Sequence, residues 1–208
     1  MKDHLIITIG RQFGSGGRDI GRRLARLFDI AYYDKELIRE AARESGLSSE
    51  YFEKADETAP RSLCNLITTW SGTFGNDSSL SNENIFKIQS DTIVRLAESG
   101  PCVFVGRCAD YILRDYPMCV KVFIHAPLQD RIKRITEREG ATEKEAEERA
   151  LKKNRCRADY YNYYTDKEWG TAAAYDLSVD SSLLGCEATA QYLYEYIGRV
   201  MERKRNGR

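Results

Sequence analysis

Ile6-Ile7-Thr8-Ile9-Gly10-Arg11-Gln12-Phe13-Gly14-Ser15-Gly16-Gly17-Arg18-Asp19-Ile20-Gly21 decides how the rest of this chain is read. A β-branched apolar run feeds a glycine-rich turn. A helical pattern follows, with Ile20, Leu24, Leu27 and Phe28 at i, i+4, i+7 and i+8. Strand, glycine turn and helix start, in that order, build an anion site. Glycines let backbone N–H groups point inward, and the helix N-terminus adds a partial positive charge. A phosphate fits such a place. A glycine-rich turn with no ligand is the plainer alternative.

The stretch departs from the usual phosphate-loop pattern, G-x-x-x-x-G-K-[ST]. With the second glycine of that pattern on Gly16, Gly17 takes the lysine position and Arg18 the Ser/Thr position. Arg11 falls on the first glycine, and Gly10 is one residue too early. The backbone cradle survives, because it needs glycines and a following helix rather than lysine. Arg18 is the nearest cation to replace the lysine, although a planar guanidinium is not interchangeable with an ammonium.

The 208 residues suit one compact α/β domain, 1–208, large enough for a full core. Thirty-two Lys plus Arg balance 32 Asp plus Glu, so no global field draws the chain to nucleic acid or an anionic membrane. The basic tail around Arg199, Arg203, Lys204, Arg205 and Arg208 reads as a solvated helix end. Met1-Lys2-Asp3-His4 runs straight into a strand-like segment, and no apolar run approaches a membrane span, so a cytoplasmic protein is expected. Cys64, Cys102, Cys108, Cys119, Cys156 and Cys186 show no C-x-x-C spacing, and His4 and His125 are the only imidazoles. A zinc site is disfavoured, and reduced, mostly buried thiols are expected.

Strands are expected at Leu5–Ile9, Ile30–Tyr33, Cys102–Val105, Val120–His125 and Asp176–Val179. Most are short and apolar, as strands covered on both faces of a parallel sheet are. Helical patterns alternate with them. Asp34–Ser45 stops at Gly46, and Glu83–Ser99 stops at Gly100-Pro101. Pro127 opens another helix, Thr142-x-x-Glu145 is a capping box, and a last helix runs from about Cys186 to Lys204. The alternation implies right-handed crossovers and a five-stranded parallel sheet flanked by helices. Two segments stand outside that core. Arg61–Asn84 is polar and reads as a flexible insertion, either a loose loop or a substrate-gripping flap. Gln129–Asp166 is dense in charge and reads either as a salt-bridged exposed helix pair or as a phosphate-gripping lid. Arg155 and Arg157 end that run where few acids remain to pair them.

This order of parts resembles a nucleoside monophosphate kinase, and more closely the bacterial cytidylate kinase-like family, a branch of the P-loop kinases. The motifs that carry the resemblance are Gly14 to Gly21, Tyr32-Tyr33-Asp34-Lys35-Glu36-Leu37-Ile38, and Val105-Gly106-Arg107-Cys108-Ala109-Asp110-Tyr111-Ile112-Leu113. Tyr160-Tyr161-Asn162-Tyr163-Tyr164-Thr165 with Trp169-Gly170, and Tyr175-Asp176-Leu177, complete them. The resemblance implies a parallel-sheet P-loop fold with a mobile helical lid. It also implies ATP with Mg²⁺, a nucleotide substrate and a monomer or homodimer. Gly14, Ser15, Gly16, Gly17, Arg18 and Asp19 would hold the ATP phosphates, and Ser181 would lie where such kinases contact adenine. Asp34 and Lys35 would open the monophosphate-binding segment. Arg107 matches the arginine of a Gly-Arg-Asp element that grips the acceptor phosphate; Cys108 replaces its aspartate, and Asp110 is the nearest carboxylate. Arg155 and Arg157 would be lid arginines acting on the transferring group, and Asp19 and Asp110 would be Mg²⁺ ligands.

The residues allow plainer roles as well. Arg107 could cap a turn, Asp34 could cap a helix, and Tyr160–Tyr164 and Trp169 could be packing. The reading is ATP-dependent phosphoryl transfer to a cytidylate-like monophosphate. The alternatives are a catalytically weak or inactive nucleotide-binding protein, or a kinase for another small molecule. A dinucleotide-binding oxidoreductase is set aside, because G-x-G-x-x-G needs glycine where Asp19 stands.

Overall fold

The computed structural model describes residues 4–38 and 82–207. They run in the order β1 Ile6–Arg11, α1 Gly17–Phe28, β2 Ala31–Tyr33, α2 Asn82–Ser99, β3 Cys102–Val105, α3 Ala109–Ile112, β4 Cys119–His125, α4 Leu128–Glu139, α5 Glu143–Thr165, β5 Leu177–Asp180 and α6 Gly185–Asn206. A helical turn over 35–38 follows β2. The rest of the expected helix Asp34–Ser45, and residues 61–81 of the expected insertion, lie outside the described residues. The last part of that insertion, from Asn82, is already α2.

The strands form one parallel sheet in the order β2-β3-β1-β4-β5. β1 lies at its centre, with Ile7 opposite Val103 on β3 and Val120 on β4. Alternation along β1 explains the two cores. Ile7 and Ile9 face one side with Ile20 and Leu24 of α1 and Leu193 and Ile197 of α6. Ile6 faces the other side with Phe104, with Ile93 and Ala97 of α2, and with Leu113. Each fully buried aliphatic side chain contributes roughly 1.5–3 kcal/mol of transfer free energy. A third, smaller cluster joins Ile132 and Ile135 of α4 and Ala146 and Ala150 of α5 to Phe13 of the glycine loop. Phe13 is thus the apolar contact by which the charged helix pair docks on the loop.

All five strands point the same way, so their C-terminal ends share one edge. The chain leaves β1 for β2 at one side and later adds β4 at the other, which makes the β1–β3 boundary a switch point. Open α/β sheets bind ligands at such a boundary. Gly106, just past β3, donates its N–H to the Ile9 carbonyl at 3.0 Å and closes this edge.

Local signals explain the helix ends. Thr142 Oγ1 accepts from the Glu145 N–H while Glu145 accepts from the Thr142 N–H, a complete capping box at the start of α5. Pro127 precedes α4, and Gly140 at φ +64 ends it. α3 was not expected from the sequence; it is a single turn forced by the backbone after β3. Cys102, Cys108, Cys119 and Cys186 are free, as their spacing implied. Cys156 departs from that expectation, being disulfide-bonded; a bridge leaves no short-spacing signature. Among the described residues no helix is long and apolar enough to cross a membrane.

Candidate active site

The glycine loop is held by its carbonyls. Ser181 Oγ donates to the Ser15 carbonyl at 2.6 Å, Arg134 Nη1 to the Gly14 carbonyl at 3.0 Å and Arg131 Nη1 to the Phe13 carbonyl at 3.5 Å. Each peptide is planar and trans, so an amide points opposite to the carbonyl it shares a bond with. Anchoring the carbonyls of Phe13 and Ser15 therefore aims the N–H groups of Gly14 and Gly16 away from these anchors. Gly14 and Gly16 sit at φ +82 and +77, conformations that side chains rarely adopt. Gly16 begins α1 with no side-chain cap, so the first-turn amides keep their donors for an anion.

Beside the loop, at the β1–β3 boundary, one cavity is lined by Arg11, Lys35, Arg107 and Arg157. Its aromatic lining comes from Tyr160, Tyr161, Trp169 and Tyr175. Arg107 is presented by an unusual backbone. Gly106, Arg107 and Cys108 lie at φ +83, +60 and +55, and the two non-glycine residues carry strain of about 1–3 kcal/mol each. That turn sends the Arg107 guanidinium to 5.9 Å from the Tyr160 ring centre. Arg157 reaches in from α5 and donates from Nη1 to the Arg11 carbonyl at 2.8 Å. Burial, and then the charges of Arg11 and Arg107, pull the Arg157 guanidinium well below its ordinary value. Burial, and then Arg107, pull Arg11 down to about 10. Like charges gathered in a desolvated place favour an anion among them.

The aromatic lining also has specific causes. A Cβ on Gly10 would stand 2.7 Å from the Phe123 ring and 3.0 Å from Tyr175. Gly10 is thus a glycine for the sake of this wall, not of the phosphate loop. Trp169 packs edge-on to Phe123 with ring centres 5.4 Å apart. Tyr161 Oη donates to Asp110 Oδ2 at 2.7 Å. Burial pushes the Asp110 carboxyl above its ordinary value, and the Tyr161 bond only partly offsets it. The same burial raises the Cys108 thiol.

The structure brings Lys35, Arg107, Asp110 and Arg157 into the cavity. It places four other expected site residues differently. Arg18 turns toward the β2 side, where Nε and Nη2 reach Asp34 Oδ2 at 2.8 and 2.7 Å and Nη2 reaches Glu36 at 2.5 Å. Asp34 caps the following turn, accepting from the N–H groups of Glu36 and Leu37 at 3.2 and 3.4 Å. Arg155 is exposed on α5, because two residues along a helix turn a side chain to the far face from Arg157. Ser181 is buried, and its hydroxyl is committed to the carbonyls of Ser15 and His125, so it anchors the loop rather than facing a base.

The expected Mg²⁺ pair is not assembled. Asp19 is exposed on α1 and bonded to Arg23 at 3.0 Å, whereas Asp110 is buried against Tyr161. Among the described residues no group of three His, Cys, Asp or Glu side chains is placed to hold a metal ion. The carboxylates of the described residues thus offer no Mg²⁺ cage. Mg²⁺ commonly binds with few protein ligands and leans on substrate phosphates and water.

Four residues escaped the sequence reading as site members. Arg11 was read as a missing glycine. Arg131 and Arg134 stood in the charged run without being distinguished from its solvated members. Asn154, whose Oδ1 accepts from the Phe13 N–H at 2.7 Å, gave no signal at all. For Arg131 and Arg134 the signal was their position, one and two turns after Pro127, at the sheet edge that carries the loop.

The sequence profile of the cytidylate kinase-like family matches residues 6–183. A cytidylate kinase of Methanopyrus kandleri is 27% identical over 209 residues, covering 96% of each chain. A crystal structure of an uncharacterized protein from Eubacterium ventriosum superposes with a TM-score of 0.73 at 28% identity, covering 94% of this chain and 99% of that one. A gluconokinase from Sinorhizobium meliloti, at 14% identity and a TM-score of 0.55 over 98% of this chain and 97% of its own, shares the fold. With the matched segment running from the first residue of β1 to just past β5, the chain belongs to the cytidylate kinase-like family.

Proposed function

We propose that this protein transfers the γ-phosphoryl group of ATP to the phosphate of a nucleoside monophosphate, with a cytidylate-like acceptor. One observation carries the reading: a single cavity beside the glycine loop is lined both by three guanidiniums, Arg11, Arg107 and Arg157, and by aromatic rings. The guanidiniums suit a phosphate, and the rings suit a planar base. Family membership supports the same class of reaction.

The chemistry asks little of the protein beyond positioning and charge. An ionised oxygen of the acceptor phosphate forms the new bond to the γ-phosphorus. The bond to the bridging oxygen breaks, and its electron pair leaves with ADP. No proton changes hands, so no general base is needed, which suits a site without histidine. The amides of Gly14 to Gly17 would hold the donor phosphates. Arg107 and Arg157 would grip the acceptor phosphate and the group in transit. The α4–α5 pair, docked on Phe13, would keep water out. Mg²⁺, when present on the nucleotide, would neutralise phosphate charge. Asp110, held in place by the Tyr161 hydroxyl, would accept a hydrogen bond from the base.

The test is ADP release from ATP across a panel of nucleoside monophosphates. Cytidine monophosphate is expected to give the fastest turnover. ATP binding with no turnover on any monophosphate would support a second reading, binding without chemistry, which the glycine at position 17 favours. Turnover only with a non-nucleotide acceptor would overturn the assignment of the aromatic wall.

A further inference from the structure

Phosphate loops of this kind carry their cation on the residue after the last loop glycine, and here that residue is Gly17. The reason is steric. A Cβ on Gly17 would stand 2.7 Å from Cβ of Arg11 and 3.1 Å from its Cγ. The Arg11 stem fills the volume from which a lysine at position 17 would start. The same side chain then crosses from β1 to the end of β3. There its Nη1 and Cζ occupy the place that a Cβ on Gly106 would need. Two glycines on two elements are thus shaped around one arginine.

The guanidinium ends on the cavity wall that it shares with Arg107 and Arg157. The Nε of Arg157 is buried there with no hydrogen-bond partner among the described residues. Arg18, the nearer replacement by sequence, is tied to Asp34 and Glu36. Arg11 alone among these cations both touches the loop at Gly17 and reaches the cavity.

We infer that Arg11 is the cation that replaces the absent loop lysine, delivered from the strand side of the loop instead of the helix side, and that it binds the phosphoryl group passing between donor and acceptor. This rests on the phosphotransferase reading above and adds the residue that neutralises the moving group. Gly17 and Gly106 are then glycines because Arg11 needs their Cβ space.

The probe is inorganic tripolyphosphate, titrated by calorimetry. Arg11→Met keeps the stem and removes the charge, and its affinity is expected to fall roughly tenfold or more. Gly17→Lys alone collides with the Arg11 stem, so it should lower the melting temperature without improving binding. Arg11→Gly combined with Gly17→Lys returns the cation to the helix, and should recover affinity that Arg11→Gly loses. Parent-like binding by Arg11→Met overturns the inference, as does a double variant no better than Arg11→Gly. Should Arg11→Met fail to fold, phenylglyoxal labelling of the unaltered protein decides the matter. Tripolyphosphate should shield Arg11, and undiminished labelling at saturation overturns the claim. A parent protein that binds no tripolyphosphate defeats the phosphotransferase reading itself; binding that ignores Arg11 defeats only this inference.

Discussion

Arg18 and Asp34 set the local charge beside β2 by holding each other. Burial pushes the Asp34 carboxyl up, but the hydrogen bond and charge of Arg18 outweigh it and keep it below its ordinary value. A carboxylate depressed in the folded chain stabilises at pH above its unfolded value and loses that contribution as pH falls through the folded one. Asp34→Asn retains an oxygen to cap the Glu36 and Leu37 amides and loses the ion pair. Because Arg18 is half exposed, the loss at neutral pH is expected to be modest, about 1 kcal/mol. As pH falls through the folded-state value of Asp34, the gap between variant and parent should close. Urea unfolding across that range measures it, and a constant gap at all pH values would contradict the pairing. Asp34 was legible in the sequence because it opens a helix. Arg11 was not, because its role depends on two glycines, Gly17 and Gly106, brought to it by the fold and not by spacing.

At the scale of elements, β1 through β5 could be placed to within one or two residues because apolar β-branched runs bounded by turn residues are local signals. The capping box of α5 was equally local, and it is present with both reciprocal bonds. What α4 and α5 do was not local. The charged run allowed either a solvated pair or a lid, and its docking on Phe13 is settled by packing. Arg155 shows the limit of reading charge without a helix face: Arg157, two residues on, lines the cavity and Arg155 does not. Thr142→Ala removes the side-chain half of the box and should cost about 1 kcal/mol, felt in the first turn of α5. Amide exchange there should quicken roughly fivefold while the central sheet exchanges as in the parent. Unchanged exchange at the start of α5 would show that this helix takes its order from packing alone.

At the scale of the molecule, the parallel sheet collects every post-strand loop at one edge, and its switch point falls between β1 and β3. The glycine loop after β1, Arg107 after β3 and the arginines of α4 and α5 meet there although they are far apart in sequence. The account requires donor and acceptor to occupy that edge together, in line. An adenosine–cytidine bisubstrate analogue joined through five phosphates tests this directly by calorimetry. It should bind at least about a hundredfold more tightly than ATP or cytidine monophosphate alone, as ligands that span a transfer site do. An analogue that binds no better than ATP would mean that the loop and the arginine cavity are not two halves of one site.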